Sequence, residues 1–169
     1  MNYLRQIFIL ILALLLNSCG TVSTKSDFEP DLVPAADITF EVLSVTNETS
    51  ESFDFEAESE LKEQLNEKLK KSGYLRTNEE SRIGLNVRIV DYQKGNAFKR
   101  WLMPGFGSTL LRVEADLIQD GEVIGTVNAL RTVSFGGGYS IGAWRTVFSK
   151  ISKDIVKELS NKITPGSAE

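Results

Sequence analysis

The sequence predicts an α+β fold, a two-layer domain in which about four strands form a mixed sheet and two helices pack on one of its faces. Two segments repeat apolar residues at helical spacing, four segments alternate apolar and polar residues, and the order along the chain is β-α-β-β-β-α. A sheet that is apolar on one face must bury that face, and two amphipathic helices are available to cover it.

The first half of the predicted domain contains two strands and the helix between them. Residues 38–46 are rich in β-branched side chains and alternate in polarity, which predicts a strand. Residues 54–72 predict a helix with glutamates near its start, lysines near its end and Gly73 behind it. Its apolar stripe is Ala57, Leu61, Leu65 and Leu69. Residues 82–94 alternate again and predict a strand with one wet face.

The second half predicts a hairpin and a closing helix. Two alternating runs, about 108–119 and 122–134, meet at Asp120-Gly121, a dipeptide that strongly favours a tight hairpin turn. The last element, residues 143–163, predicts an amphipathic helix. Its apolar stripe is Trp144, Val147, Phe148, Ile151, Ile155, Leu159 and Ile163.

The N-terminus predicts export and a lipid anchor. Arg5 precedes an unbroken apolar run, residues 7–16, that is shorter than the about 20 residues needed to span a bilayer and typical of a signal-peptide core. The next residues, Leu16-Asn17-Ser18-Cys19, resemble the lipobox of bacterial lipoproteins, in which the cysteine is acylated and becomes the new N-terminus. The alternatives are a buried Cys19 thiol in an ordinary N-terminal helix, or cleavage by an ordinary signal peptidase.

The lipobox resemblance implies a division of the chain and a location. It implies a signal peptide at 1–18, a palmitate-bearing N-terminus and flexible tether at 19–34, one periplasmic domain at 35–164, and a tail at 165–169. A coil of the tether's length spans roughly 20 Å, so the domain is expected to stand off the bilayer. Because Gly20 rather than aspartate follows the cysteine, the resemblance implies an outer-membrane protein that faces the periplasm.

The composition argues against most catalytic and nucleic-acid functions. The chain has no histidine and a single cysteine, which removes the commonest general base, the usual zinc ligands and any internal disulfide. A net charge of -4 disfavours nucleic-acid binding. We therefore expect no metal, no cofactor and no enzymatic activity.

One catalytic motif remains as a remote alternative. Gly138-Tyr139-Ser140-Ile141-Gly142 fits the G-x-S-x-G pattern of serine hydrolases and lies between a predicted strand and a predicted helix. A serine nucleophile needs an adjacent base, which in such hydrolases is histidine. The motif alone therefore gives little support for a hydrolase that uses Ser140.

A second resemblance covers about half of the chain. From Lys99 to Gly125 an Arg-Trp pair, then Pro-Gly-x-Gly, then two strands around an acidic-glycine turn, is similar to a family of bacterial lipoproteins known as domain of unknown function 4410. The likeness extends to the C-terminal helix. It implies class and location, and it leaves the mechanism open.

A hairpin of strands 108–119 and 122–134 would bring the loops 95–107 and 135–143 to the same end of the sheet. Both loops are rich in glycine and aromatic residues, and no acid interrupts the cations in or beside them. The candidate contact residues are Lys99, Arg100, Trp101, Pro104, Phe106, Tyr139, Trp144 and Arg145. They suit an anionic lipid, a cell-wall polymer or an envelope protein partner. Alternatively, the aromatics plug the end of the core and the cations solubilise it.

The sequence as a whole predicts a lipid-anchored cell-envelope protein. Its expected role is non-enzymatic binding or scaffolding in outer-membrane assembly, transport or maintenance. The alternative within binding is a periplasmic domain that holds a small lipid or glycan between the sheet and the helices.

Overall fold

The computed structural model describes residues 22–28, 38–53, 55–75, 82–96, 107–133 and 143–163. These residues form two helices and a five-stranded mixed sheet, which confirms the α+β class and adds one strand to the predicted number. In chain order the elements are β1 (Val22–Phe28), β2 (Thr39–Asn47), α1 (Ala57–Lys71), β3 (Arg82–Gln93), β4 (Thr109–Gln119), β5 (Glu122–Val133) and α2 (Ala143–Ile163).

The strands lie in the order β1-β5-β4-β3-β2, so the first two strands of the chain form the opposite edges of the sheet. The neighbours β2 and β3 are parallel, because α1 carries the chain back between them, and the other three pairs are antiparallel. Asp120 and Gly121 turn the β4–β5 hairpin with φ angles of 53° and 84°, as the Asp-Gly dipeptide predicts.

Both helices pack against one face of the sheet, and the alternating apolar residues of the strands meet the apolar stripes of the helices there. Leu61, Leu65 and Leu69 of α1 are fully buried, as are Ile151 and Ile155 of α2. Truncating a buried leucine to alanine typically costs about 2–5 kcal/mol. The interior face therefore holds the two layers together, and the opposite face carries charged side chains such as Arg88, Glu114 and Asp116.

The strand β1 forms where a flexible tether was expected. Its seven residues pair with β5 along their whole length, from Val22 opposite Arg131 to Phe28 opposite Gly125. The Ser26 hydroxyl also donates to the Glu158 carboxylate of α2 at 2.5 Å. An edge strand needs one hydrogen-bonded neighbour and no apolar face, which is why its polar sequence gave no strand signal. The tether prediction for residues 19–34 is thus wrong over these seven residues.

Candidate interaction surface

The sequence-predicted contact residues fall mainly in segments outside the described residues. These are Lys99, Arg100, Trp101, Pro104, Phe106 and Tyr139, and Cys19 and Ser140 lie outside the described residues as well. Trp144 and Arg145 are the second and third residues of α2, and the Arg145 side chain is exposed. The structure therefore describes the ends of the strands and helices that flank the predicted contact residues.

The two predicted loops leave the sheet at the same end. Thr109, the first residue of β4, pairs with Val133, the last residue of β5. The Asn96 amide donates to the Gly107 carbonyl at 3.0 Å, which brings together the two sides of the segment between β3 and β4. Because β1 is antiparallel to β5, β1 also starts at this end, with Val22. We call it the loop end: the starts of β1, α1, β4 and α2 and the ends of β2, β3 and β5.

Four aromatic side chains close the core beneath the loop end. Phe53 stacks obliquely on Tyr92, with ring centroids 4.5 Å apart. Phe55 meets Phe148 of α2 edge-on at 5.6 Å, and Phe53 contacts both Phe55 and Phe148. Sequence reasoning assigned Phe148 to the core but missed Phe53 and Phe55. Their position just before α1 is the signal that could have found them, since apolar residues ahead of a helix often pack back onto it.

The loop end carries exposed charges of both signs. On α2, the side chains of Arg145, Lys150 and Lys153 are exposed, and the first turn of this helix contains no acid. Beyond the end of β2, the exposed charges are glutamates, for example Glu48 and Glu51. The exposed cations of this end therefore come from α2.

An ion pair stabilises the junction between β5 and α2. Arg131 donates to the Asp154 carboxylate at 2.9 Å, and each side chain is 18% exposed. Arg131 lies opposite Val22 in the sheet, so the start of β1 lies beside the part of α2 that contains Asp154. The Asp154 carboxylate therefore compensates the Arg131 charge.

The outer face of the sheet, opposite the helices, carries a charge-balanced polar network. Arg88 of β3 lies 3.1 Å from both Glu114 and Asp116 of β4. The Thr126 hydroxyl donates to Asp116 at 2.8 Å. This face can offer hydrogen bonds to a partner.

A shallow hollow of about 530 Å³ lies along the exposed side of α1, with Ser59, Asn66 and Leu75 among its lining residues. Glu67 also lines it, and its pKa is lowered by a hydrogen bond from Lys71 and by the nearby Lys68 charge. The hollow is therefore a surface of charged and polar side chains along α1.

Two further features are absent from the described residues. No group of three or more acidic or cysteine side chains there could hold a metal ion. No described helix is long and apolar enough to cross a bilayer.

Comparisons with known proteins identify the family and the fold. Among solved structures, the PelC dodecamer from Paraburkholderia phytofirmans has a TM-score of 0.57 at 15% identity, covering 83% of this chain and 98% of that chain. A single-substitution variant of the same dodecamer gives 0.57 at 16% identity, with the same coverage. A minor lipoprotein from Acinetobacter baumannii has a TM-score of 0.34 at 16% identity, covering 74% of this chain and 94% of that chain.

At these identities the likeness to PelC shows a common fold alone. No curated protein matches the chain. The family model described as a domain of unknown function, DUF4410, matches residues 26–137, which is more than half of the chain. The matched region begins within β1 and ends just beyond β5, so it contains the complete sheet apart from the first residues of β1. The chain therefore belongs to the DUF4410 family.

Proposed function

We propose that this protein is a lipid-anchored component of the bacterial cell envelope with a non-enzymatic binding or scaffolding role. The observation that carries the proposal is the lipobox-like sequence that ends at Cys19, three residues before the first strand of the domain. Acyl chains on that sulfur would hold the domain at a membrane without a spanning helix. The glycine at position 20 favours the outer membrane, and with it a role in outer-membrane assembly, transport or maintenance.

The lack of histidine in the chain supports a non-enzymatic role. The carboxylates Glu114 and Asp116 on the outer face are engaged with Arg88, so their chemistry is that of a structural ion pair. A serine hydrolase would need a base for Ser140, and the sequence contains no imidazole to serve as one.

The packing of the described core supports recognition at the surface rather than in an internal pocket. Side chains from both layers meet between sheet and helices, and Leu65, Leu85 and Ile155 are among those with no exposed area. The aromatic cluster that contains Phe53 and Phe148 closes this core at the loop end. The core thus has an aromatic plug of its own, which favours a contact role for the aromatics of the loops over a packing role.

The anchor is tested by replacing its sulfur. In Cys19→Ser we expect an unprocessed precursor without the mass increment of acyl chains, because the hydroxyl does not replace the thiol in acylation. Intact-protein mass spectrometry of the membrane fraction measures both effects. Thr21→Ser is the matched control and should be processed and acylated normally. An acyl mass increment that persists in Cys19→Ser would refute the anchor.

A further inference from the structure

The first strand begins very close to the proposed anchor. We infer that the loop end of the domain rests against the anionic bilayer surface in which Cys19 is anchored, with Arg145 and Lys150 of α2 near the lipid headgroups. This inference rests on the proposed function, because it takes the acylation of Cys19 as given. It adds an orientation and a second, electrostatic contact with the membrane.

Covalent geometry limits how far the domain can stand off. Val22 follows Cys19 by three residues, and consecutive Cα atoms are about 3.8 Å apart, so the two Cα atoms are separated by at most about 11 Å. Val22 is the start of β1 and lies opposite Arg131 at the loop end. The acylated residue is therefore attached to this end of the domain, and the expected separation of roughly 20 Å between domain and bilayer does not apply.

The start of α2 extends about as far beyond the sheet at the loop end as the link to Cys19 can. Asp154 contacts Arg131, which pairs with Val22, so Asp154 and the start of β1 lie at a similar height. Arg145 lies nine residues earlier in α2, or about 13 Å further along the helix axis toward the loop end. The link from Val22 to Cys19 spans at most about 11 Å. A bilayer surface that contains the acyl chains of Cys19 would therefore lie near Arg145.

The exposed charges of α2 suit an anionic surface. Arg145, Lys150 and Lys153 are exposed, and in the sequence no acid occurs between Arg131 and Lys153. Anionic headgroups attract such cations. The start of α2 is therefore the part of the loop end that we place nearest the lipid.

The single cysteine makes this orientation measurable. Acylation occupies the sulfur of Cys19, so a cysteine introduced elsewhere is the one thiol that a fluorophore can label. Thr146→Cys places the label beside Arg145, and Ser72→Cys places it at the far end of α1; both sites are exposed. The 21 residues of α2 span about 31 Å, which separates the two ends well beyond contact quenching by a nitroxide.

The labelled, acylated proteins are reconstituted into vesicles of phosphatidylcholine and phosphatidylglycerol that contain a headgroup-nitroxide lipid. We expect several-fold stronger quenching at position 146 than at position 72. Equal quenching at the two positions, or stronger quenching at 72, would overturn the inferred orientation. Mass spectrometry of the same samples reports acylation. Without acylation the proposed anchor fails, whereas acylated protein without the quenching difference contradicts only the orientation.

A charge variant tests the electrostatic contact. Arg145→Gln with Lys150→Gln should reduce the quenching at position 146 at least twofold, while Lys70→Gln with Lys71→Gln, the same charge change at the far end, should leave it unchanged. Vesicles of phosphatidylcholine alone should abolish the difference between the two variants. Equal quenching of both variants in the anionic vesicles would show that Arg145 and Lys150 do not contact the headgroups, and would overturn that part of the inference.

Discussion

The close approach of Leu43 to Gly84 shows how a single residue can be required by packing rather than by backbone conformation. A Cβ atom on Gly84 would lie 2.4 Å from Leu43 Cδ1 and 2.9 Å from Leu43 Cγ. The pairing of β2 with β3 is irregular between Val42 and Ser44, and the intervening Leu43 lies over Gly84. The glycine therefore makes room on the outer face for a side chain of the neighbouring strand.

This contact gives a prediction at the residue scale. Gly84→Ala should lower the free energy of unfolding by about 1 kcal/mol, because Leu43 must leave its favoured rotamer. In a Leu43→Ala background the same change should be neutral or stabilising by about 0.5–1 kcal/mol, since alanine loses less backbone entropy than glycine. Urea unfolding of the four proteins of this double-mutant cycle measures the coupling. An identical effect in both backgrounds would contradict the steric explanation.

The strand β1 shows how an element can form without a sequence pattern of its own. Its polar residues bury little surface, and Val22 remains 47% exposed. Its partner β5 is apolar on the inner face and would otherwise present an unpaired edge. Backbone pairing, together with the contact between Ser26 and Glu158, therefore accounts for its place in the sheet.

Adjacent proline substitutions distinguish a strand from a tether. In an edge strand the amides of successive residues point alternately to the neighbour and to solvent, so only one of Ser23→Pro and Thr24→Pro removes a bond to β5. We expect that variant to lose about 1–3 kcal/mol of unfolding free energy and the other to lose clearly less. Denaturant unfolding of the acylated protein in detergent measures the difference. Two unchanged variants would indicate that these residues do not pair.

The two ends of the domain differ in the groups that they carry. The proposed lipid anchor, the cations of α2 and both glycine-rich loops belong to the loop end, whereas α1 and α2 both finish with lysines at the other end. This arrangement follows from connectivity, because β1 and α2 start where β5 ends. The outer face of the sheet, with its network around Arg88, is left for other partners.

A charge replacement at the loop end tests its contact role at this scale. Changing Lys99, Arg100 and Arg145 together to glutamine should weaken association with anionic membranes or an envelope partner. Each of these cations is expected to attract an anionic surface, and glutamine carries no charge. Flotation with anionic vesicles measures the membrane contact, and crosslinking in intact cells measures a partner. The control changes Lys70, Lys71 and Lys162 to glutamine. Thermal unfolding of both variants separates a loss of binding from a loss of fold, and equal flotation would favour a solubilising role for the cations.

The sequence by itself was sufficient for the class of fold, the apolar stripes of both helices and the β4–β5 hairpin. These features depend on local periodicity and turn chemistry, which a single chain segment already contains. It also predicted that the two loops share one end, since hairpin register places them there.

Only the tertiary structure decided the place of β1, the aromatic cluster of Phe53 and Phe55, and the level of Arg145 relative to Val22. Each depends on partners far away along the chain: the free edge of β5, the end of β3 and the Arg131–Asp154 contact. Such pairings leave no periodic pattern in the segment itself, because the stabilisation comes from the neighbour that it meets after folding.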